Sequence, residues 1–214
     1  MKRKHIMRNR ILYRALLGGV LLLVLAACSD QPTLSPLPAD AVILAFGDSL
    51  TEGVGANKEQ SYPALLATLT GRRVINAGIS GEESDAGLAR LPELLATWQP
   101  DLVILGHGGN DFLRQRDRNQ TQANLAQMIA LAREQGSEVV LLGIPRPGLL
   151  VRTHSLYDAL ADERKVSLQA NAISEILSDK ALKSDHIHPN AQGYRQLAEA
   201  IKRLLRQAGA LSPG

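Results

Sequence analysis

The chain has 214 residues, with 24 lysines and arginines against 21 aspartates and glutamates, and six of the basic residues lie within positions 1–27. Residues 28–214 therefore carry 18 basic against 21 acidic residues, without a basic stretch interleaved with aromatic residues. This balance excludes nucleic acid as a partner, while the length suffices for one domain with a full hydrophobic core.

The first predicted element is a leader over residues 1–27. A basic head is followed by an uncharged apolar run from Ala15 to Ala27 and then by Cys28, which is the layout of a secretory signal. The run is shorter than the roughly 20 residues that span a bilayer, so a cleaved signal is favoured over a retained anchor. The sequence LAAC at 25–28 resembles a bacterial lipobox, and this resemblance implies cleavage before Cys28 and lipid attachment to its sulfur.

Residues 28–40 are predicted to be a lipidated cysteine followed by a flexible tether, because 29–40 contain three prolines and no hydrophobic periodicity. Cys28 is the only cysteine, so a disulfide within the chain is impossible. The resemblance to lipoproteins implies the bacterial cell envelope, and Ser29 in place of aspartate favours an outer membrane location facing the periplasm. We expect the protein to be a monomer that contacts the membrane through this lipid anchor.

Apolar and amphipathic stretches alternate through the remaining domain, residues 41–214. Strands are predicted at 41–46, 73–76, 101–105, 138–144 and 166–169. Helices are predicted at 61–69, 85–98 (begun again or bent at Pro92), 121–135 (capped by Thr121), 156–165 and 190–207. The alternation predicts a parallel sheet of about five strands covered by helices on both faces. Right-handed crossovers then bring the loops at 47–54, 77–84, 106–114 and 184–189 to one edge of the sheet.

Ser49 follows the first predicted strand in the sequence Gly47-Asp48-Ser49, at the strand end where open α/β sheets bind ligands. A serine there is a candidate nucleophile, although the same position also suits a helix N-cap. Residues 47–51 lack the glycine that follows the serine by two places in a nucleophile elbow. Catalysis by Ser49 would require a base, a group that orients the base, and oxyanion donors.

Asp185 and His188, in the sequence SDHIHP at 184–189, are candidates for the orienting group and the base. An aspartate three residues before a histidine can accept from Nδ1, which leaves Nε2 to take the proton of Ser49. Two alternatives stay open at this point. The loop suits a helix cap with solvated histidines, and Asp185, His186 and His188 suit a metal site with His107 as a further ligand.

Gly81 and Asn110 are candidate oxyanion donors. Gly81 lies in a glycine-rich loop after the second strand, where the main-chain N–H can approach a ligand closely. Asn110 offers a side-chain amide after the third strand. Together with the Ser49 N–H they would form a three-point oxyanion hole, although for each residue alone an ordinary turn is the better explanation.

Four sequence blocks, in order along the chain, resemble those of the SGNH (GDSL) hydrolases: GDSLTEG, NAGISGE, GGND and DHIH. The resemblance covers about Val42 to Leu205 and is strongest to the bacterial arylesterase, thioesterase and lysophospholipase group. It implies a flavodoxin-like three-layer α/β/α sandwich and a serine esterase mechanism that uses neither metal nor cofactor. The residues that it assigns are the nucleophile Ser49, the base His188, its partner Asp185, the oxyanion donors Ser49, Gly81 and Asn110, and the supporting Asp48.

Three other histidines are interpreted as lying outside the catalytic set. His107 departs from the commoner Glu-Leu-Gly-Gly-Asn-Asp form of the third block, and we interpret it as packing or pocket lining; His154 and His186 are not expected to act as bases. The predicted function is hydrolysis of small-molecule or lipid esters (aryl esters, lysophospholipids or acyl-thioesters) through an acyl-enzyme on Ser49. The alternatives are a metal-dependent hydrolase and a non-catalytic envelope binding protein.

Overall fold

A computed structural model describes residues 32–146 and 151–212. The predicted leader, the predicted lipid attachment at Cys28 and residues 29–31 of the predicted tether lie outside the described residues. No helix within the described residues combines the length and the apolar character required to cross a bilayer.

Alternating strands and helices make up the domain. The strands are β1 (Val42–Gly47), β2 (Arg73–Gly78), β3 (Leu102–Gly106), β4 (Glu138–Leu142), β5 (Pro145–Arg146), β6 (Arg152–Thr153) and β7 (Ser167–Gln169). The α-helices are α1 (Ser49–Glu52), α2 (Tyr62–Thr70), α3 (Ser84–Trp98), α4 (Gly109–Leu113), α5 (Arg118–Glu134), α6 (Leu156–Arg164), α7 (Ala172–Ser178) and α8 (Ala191–Gln207).

Five strands form one parallel sheet in the order β2-β1-β3-β4-β7. Helices α2 and α7 pack on α8, and helices α3 and α6 pack on α5. The predicted α/β/α architecture with a five-stranded parallel sheet is thus confirmed. The strand order reverses between β1 and β3, and such a switch point opens a crevice beyond the carboxyl ends of the two strands.

The central strands are apolar along their whole length because helices cover both of their faces. Residues 43–46 of β1 are fully buried, and so are all five residues of β3. Alternation of apolar and polar side chains is absent from these strands for the same reason. The crevice beside Gly47 and Gly106 is therefore set on a rigid, fully packed support.

The sequence predicts a free tether up to residue 40. For residues 32–40, the part of the tether that the structure describes, this prediction is wrong. Leu34 and Leu37 are only 7% and 8% exposed, and their N–H groups donate to Ala208 O (2.7 Å) and Ala210 O (2.9 Å). Leu34 and Leu37, which lie between the prolines, bury their side chains in the domain. Two apolar residues are too few to produce a hydrophobic periodicity, so the sequence pattern did not indicate this contact. The ordered domain thus begins before β1.

Several boundaries also differ from the prediction. Helix α3 continues through Pro92 as one element, and α5 begins at Arg118 rather than at Thr121, because Asp117 accepts from the Asn119 N–H at 2.8 Å and provides the N-cap. Strand β4 ends at Leu142, two residues early. Helices α1, α4 and α7 and the antiparallel pair β5–β6 were not predicted; α1 and α4 lie in stretches that the sequence indicated as loops.

Candidate active site

Ser49, His188 and Asp185 come together at the carboxyl edge of the sheet. His188 Nε2 lies 3.0 Å from Ser49 Oγ, across 139 positions of sequence, and His188 Nδ1 lies 2.7 Å from Asp185 Oδ2. Because the carboxylate only accepts hydrogen bonds, Nδ1 carries the ring proton and Nε2 is left to accept from the Ser49 hydroxyl. This is the arrangement that a nucleophilic serine requires.

Helix α1 fixes the position of the serine. Ser49 is its first residue, and Asp48 before it is the N-cap, with Oδ1 accepting from the Leu50 N–H at 3.0 Å. The helix ends after one turn at Gly53, whose φ of +103° suits a residue without a side chain. Ser49 is therefore held by a short, capped turn directly after β1.

The loop that carries the base is folded by its own aspartate. Asp185 Oδ1 accepts from the N–H groups of Ile187 and His188, both at 2.8 Å, and the Ser184 N–H donates to His188 O at 3.0 Å. Burial acts to raise the pKa of Asp185, but the hydrogen bonds from the His188 ring and these amides outweigh it and hold the pKa below its usual range. Asp185 is thus kept as a carboxylate facing His188.

Asp48 differs from Asp185 in its surroundings, since its side chain is almost entirely buried. Burial raises the pKa of the Asp48 carboxyl, and nearby His107 and the Leu50 N–H oppose this rise without reversing it. Its Oδ2 lies 3.4 Å from Asn110 Nδ2. Asp48 therefore supports both the serine turn and the amide of Asn110.

The two predicted oxyanion residues lie on neighbouring loops. Asn110 is in α4 and donates through Nδ2 to Glu82 O at 3.0 Å. Gly81 has a φ of +77°, and its carbonyl accepts from Arg114 at 2.9 Å. Asn110 and Ser49 line the same cavity, whereas Gly81 lies outside the described residues that line it.

A cavity of about 450 Å³ opens beside Ser49, Asn110 and His188. Most of its wall is aliphatic, formed by Leu50, Leu113, Ile144, Val151, Leu177 and Ile187. Besides His188, the basic side chains that line it are Arg146, Lys183 and His186. The site thus combines an apolar wall with a basic rim.

The other histidines of the described residues do not hydrogen-bond to Ser49. His186 is exposed and lines the cavity, and His154 stacks on Phe112 at 4.7 Å between ring centroids. Burial lowers the pKa of His154, and the charges of Arg118 and Arg146 add to this effect. Within 32–146 and 151–212, no group of three or more histidine, cysteine, aspartate or glutamate side chains is arranged to hold a metal ion.

The sequence alone did not reveal two polar groups behind the site. Asp111 accepts from the Ser84 N–H (2.9 Å), Ser84 Oγ (2.5 Å) and Thr121 Oγ1 (3.2 Å). His107 is fully buried, as the packing interpretation predicts, but it also contacts Glu82 through Nε2 at 2.9 Å, and it is not among the described residues that line the cavity. The sequence feature that could have indicated these groups is their position next to the predicted oxyanion residues, since Glu82 directly follows Gly81 and Asp111 directly follows Asn110.

Comparisons with a family model, with known sequences and with solved structures all point to one family of hydrolases. Residues 45–196 match the family described as GDSL-like lipase/acylhydrolase. Esterase TesA of Pseudomonas aeruginosa is 35% identical over 190 residues, covering 84% of this chain and 94% of that protein. Thioesterase 1/protease 1/lysophospholipase L1 of Escherichia coli K12 is 34% identical over 172 residues, covering 77% of this chain and 83% of that protein. A crystal structure of TesA superposes with a TM-score of 0.71 at 34% identity, covering 78% of this chain and 99% of that one.

Proposed function

The chain belongs to the GDSL-like lipase/acylhydrolase family and hydrolyses carboxylic esters, and we propose that it does so through an acyl-enzyme on Ser49. The observation that carries this proposal is the hydrogen-bonded series from Asp185 through His188 to Ser49, with distances of 2.7 and 3.0 Å. Each member is held by local main-chain hydrogen bonds, so the series is in place before a substrate binds.

In the first step, Ser49 Oγ attacks the ester carbonyl carbon while His188 Nε2 takes the hydroxyl proton. The carbonyl oxygen becomes an oxyanion, for which the donors are the N–H groups of Ser49 and Gly81 and the side-chain amide of Asn110. The imidazolium, stabilised by Asp185, then protonates the leaving group as its bond to the acyl carbon breaks. Water repeats the sequence on the acyl-enzyme, releasing the acid and returning the proton to Ser49.

Covalent labelling tests this proposal directly. A fluorophosphonate probe should label the wild-type protein on Ser49, and the label should be absent from folded Ser49→Ala. A chelator should leave labelling and ester turnover unchanged, whereas a metal-dependent hydrolase would lose activity. Ester turnover that stays at the uncatalysed background in both the wild type and Ser49→Ala would contradict the acyl-enzyme and favour the non-catalytic binding protein.

The aliphatic wall of the cavity supports acyl chains longer than acetyl as the preferred substrates. Each methylene buried against such a wall contributes about 0.8 kcal/mol, or roughly fourfold in kcat/KM. We expect p-nitrophenyl octanoate to exceed the acetate by at least about tenfold on this basis. Ile187→Ser removes an exposed part of the wall and should reduce the octanoate rate selectively. A preference for acetate would contradict this assignment.

The basic rim supports leaving groups that carry negative charge, such as the phosphate-bearing alcohol of a lysophospholipid or an anionic acyl-thioester. Arg146, Lys183 and His186 all line the cavity. We expect Arg146→Gln to raise KM for an anionic ester, by an amount limited by the roughly 1 kcal/mol or less that an exposed ion pair contributes, about fivefold. The KM of a neutral p-nitrophenyl ester should stay within about twofold, because it carries no charge for Arg146 to pair with. An equal effect on both esters would contradict a role in charge recognition.

For the location we infer a lipid anchor at Cys28, with the monomeric domain in the bacterial cell envelope and preferably on the periplasmic side of the outer membrane. The support is the order of basic head, apolar run and LAAC in residues 1–28. Metabolic labelling with an alkyne fatty acid should modify the wild type and not Cys28→Ser. Recovery of unlabelled wild type in the soluble fraction would contradict the anchor.

A further inference from the structure

A largely buried ion-paired cluster, formed by Glu82, Arg90 and His107, lies next to the predicted oxyanion residues. Arg90 approaches the Glu82 carboxylate with both Nε and a terminal nitrogen, each at 2.7 Å, and His107 Nε2 lies 2.9 Å from Glu82 Oε2. The side chains of His107 and Glu82 are 0% and 7% exposed. Burial acts to raise the pKa of Glu82, but the hydrogen bonds from His107 and Arg90 outweigh it and lower the pKa.

Arg90 connects this cluster to the ends of two strands. Its terminal nitrogen donates to Ala77 O at 2.7 Å and lies 3.4 Å from Gly47 O. Its guanidinium also lies over the ring of Phe46, 4.3 Å from the centroid. Because Gly47 is followed by Asp48 and Ser49, the cluster is attached to the strand end that carries the nucleophile.

Glu82 connects the cluster to both predicted oxyanion residues. It directly follows Gly81, and its N–H donates to Ile79 O at 3.2 Å, which closes the turn containing Gly81. Its carbonyl accepts from Asn110 Nδ2 at 3.0 Å. One residue thus holds Arg90 and His107 through its side chain and Asn110 through its main chain.

His107 is positioned so that only one of its ring nitrogens has a partner among the described residues. Nε2 faces the Glu82 carboxylate and therefore carries the proton, whereas Nδ1 is buried without a hydrogen bond. Helix α3 approaches the ring closely, since a Cβ on Gly87 would lie 2.6 Å from Nε2. On the other side the His107 carbonyl accepts from the buried Tyr157 hydroxyl at 2.7 Å.

We propose that Glu82, held by Arg90 and His107, is a positioning residue that aims the Asn110 amide at the oxyanion. This inference rests on the acyl-enzyme function proposed above. Oxyanion donors act more strongly on the transition state than on the bound ester. Loosening the cluster should therefore lower kcat and leave KM nearly unchanged.

A double-mutant cycle tests the inference. His107→Leu removes the donor to Glu82 with little change in volume, and we expect it to lower kcat by about 10- to 100-fold, part of the loss caused by removing an oxyanion donor outright. His107→Gln retains an N–H in reach of Glu82 and should recover most of that loss. In an Asn110→Ala background, the further loss from His107→Leu should be less than about threefold, because the amide that it aims is already absent.

Ser137→Ala is the matched control, because it removes a buried hydrogen bond to Pro100 O at the opposite edge of the sheet. It should lower the melting temperature without changing kcat. Arg90→Lys keeps the charge but loses the two-pronged contact, and it serves as a second variant if His107→Leu does not fold.

Equal losses from His107→Leu with and without Asn110, or an unchanged kcat in both His107→Leu and Arg90→Lys, would overturn the inference. Either result in a preparation whose wild type turns over esters leaves the proposed function intact. Failure of the wild type to react with the fluorophosphonate probe would instead overturn the proposed function.

Discussion

The central sheet is held together differently at the amino ends of its strands (the amino edge) and at their carboxyl ends (the carboxyl edge). At the amino edge, side chains bond to the main chain: Asp101 Oδ2 accepts from the Val42 N–H at 2.8 Å, and Ser137 Oγ donates to Pro100 O at 2.6 Å. At the carboxyl edge, buried carboxylates bond to other side chains as well, as Glu82 does with Arg90 and His107.

This difference shows where the fold accepts costs in stability. A buried carboxylate must be paired or hydrogen-bonded to offset its desolvation, and replacing such groups by apolar ones is often stabilising. Asp48 and Asp111 are both buried at the carboxyl edge. The amino edge therefore mainly secures the chain, whereas the carboxyl edge also maintains buried carboxylates next to the catalytic residues.

Replacing Ser49 by alanine should have the largest effect on ester turnover. It would therefore test the contrast between the two edges of the sheet most sharply. Loss of a serine nucleophile lowers kcat by about 10⁶-fold, while the melting temperature should change little because Ser49 leads a one-turn helix whose cap is Asp48. Ester turnover and calorimetry on the same preparation provide the check. A large fall in the melting temperature would show that the carboxyl edge also supports the fold at this point.

Asp185→Asn should follow in magnitude. Asparagine can still accept from the Ile187 and His188 amides, but its NH₂ group facing Nδ1 favours the ring tautomer that cannot accept the serine proton. We expect kcat to fall roughly 10²- to 10⁴-fold. Nitrogen chemical shifts of His188 should report the change of tautomer, and an unchanged shift together with full activity would refute this role.

Ser137→Ala tests the other edge. Its buried hydroxyl donates to Pro100 O, and loss of the donor should reduce the free energy of unfolding by about 1–3 kcal/mol. Ester turnover should stay within about twofold of the wild type, as for substitutions remote from a site. Denaturant titration measures the first quantity. A tenfold loss of turnover in a fully folded sample would break the separation between the edges.

Asp48→Asn should have the smallest effect and the opposite sign. Because the folded-state pKa of Asp48 is raised, the ionised carboxylate destabilises the folded protein above that pKa, and the penalty disappears as the pH falls and the group becomes protonated. Asparagine retains the N-cap acceptor, so we expect the melting temperature to rise by about 2–4 °C at pH 8. The gain should shrink toward pH 4; a gain that is independent of pH would contradict this origin.

The sequence predicted the sheet and the meeting of Ser49 with His188 because both depend on strand periodicity and on crossovers of fixed hand. It did not predict the pairing of Glu82 with His107, since that contact depends on which way two side chains turn after their strands end. The sequence predicts Thr121 as a helix cap because threonine suits that position as well as Asp117 does. In the folded chain the Thr121 hydroxyl donates to Asp111 instead. Local patterns thus located the elements, and tertiary contacts decided the details of the loops.

The docked segment before β1 has a practical consequence. Pro32 O accepts from Ser167 Oγ at the start of β7, and the Ser35 N–H donates to Glu138 at the start of β4. A bead or an electrode coupled on the N-terminal side of Pro32 would therefore be attached at the edge of the sheet opposite Ser49. Immobilisation in that orientation leaves the substrate entrance unobstructed, whereas random amine coupling would engage Lys183 in the cavity wall.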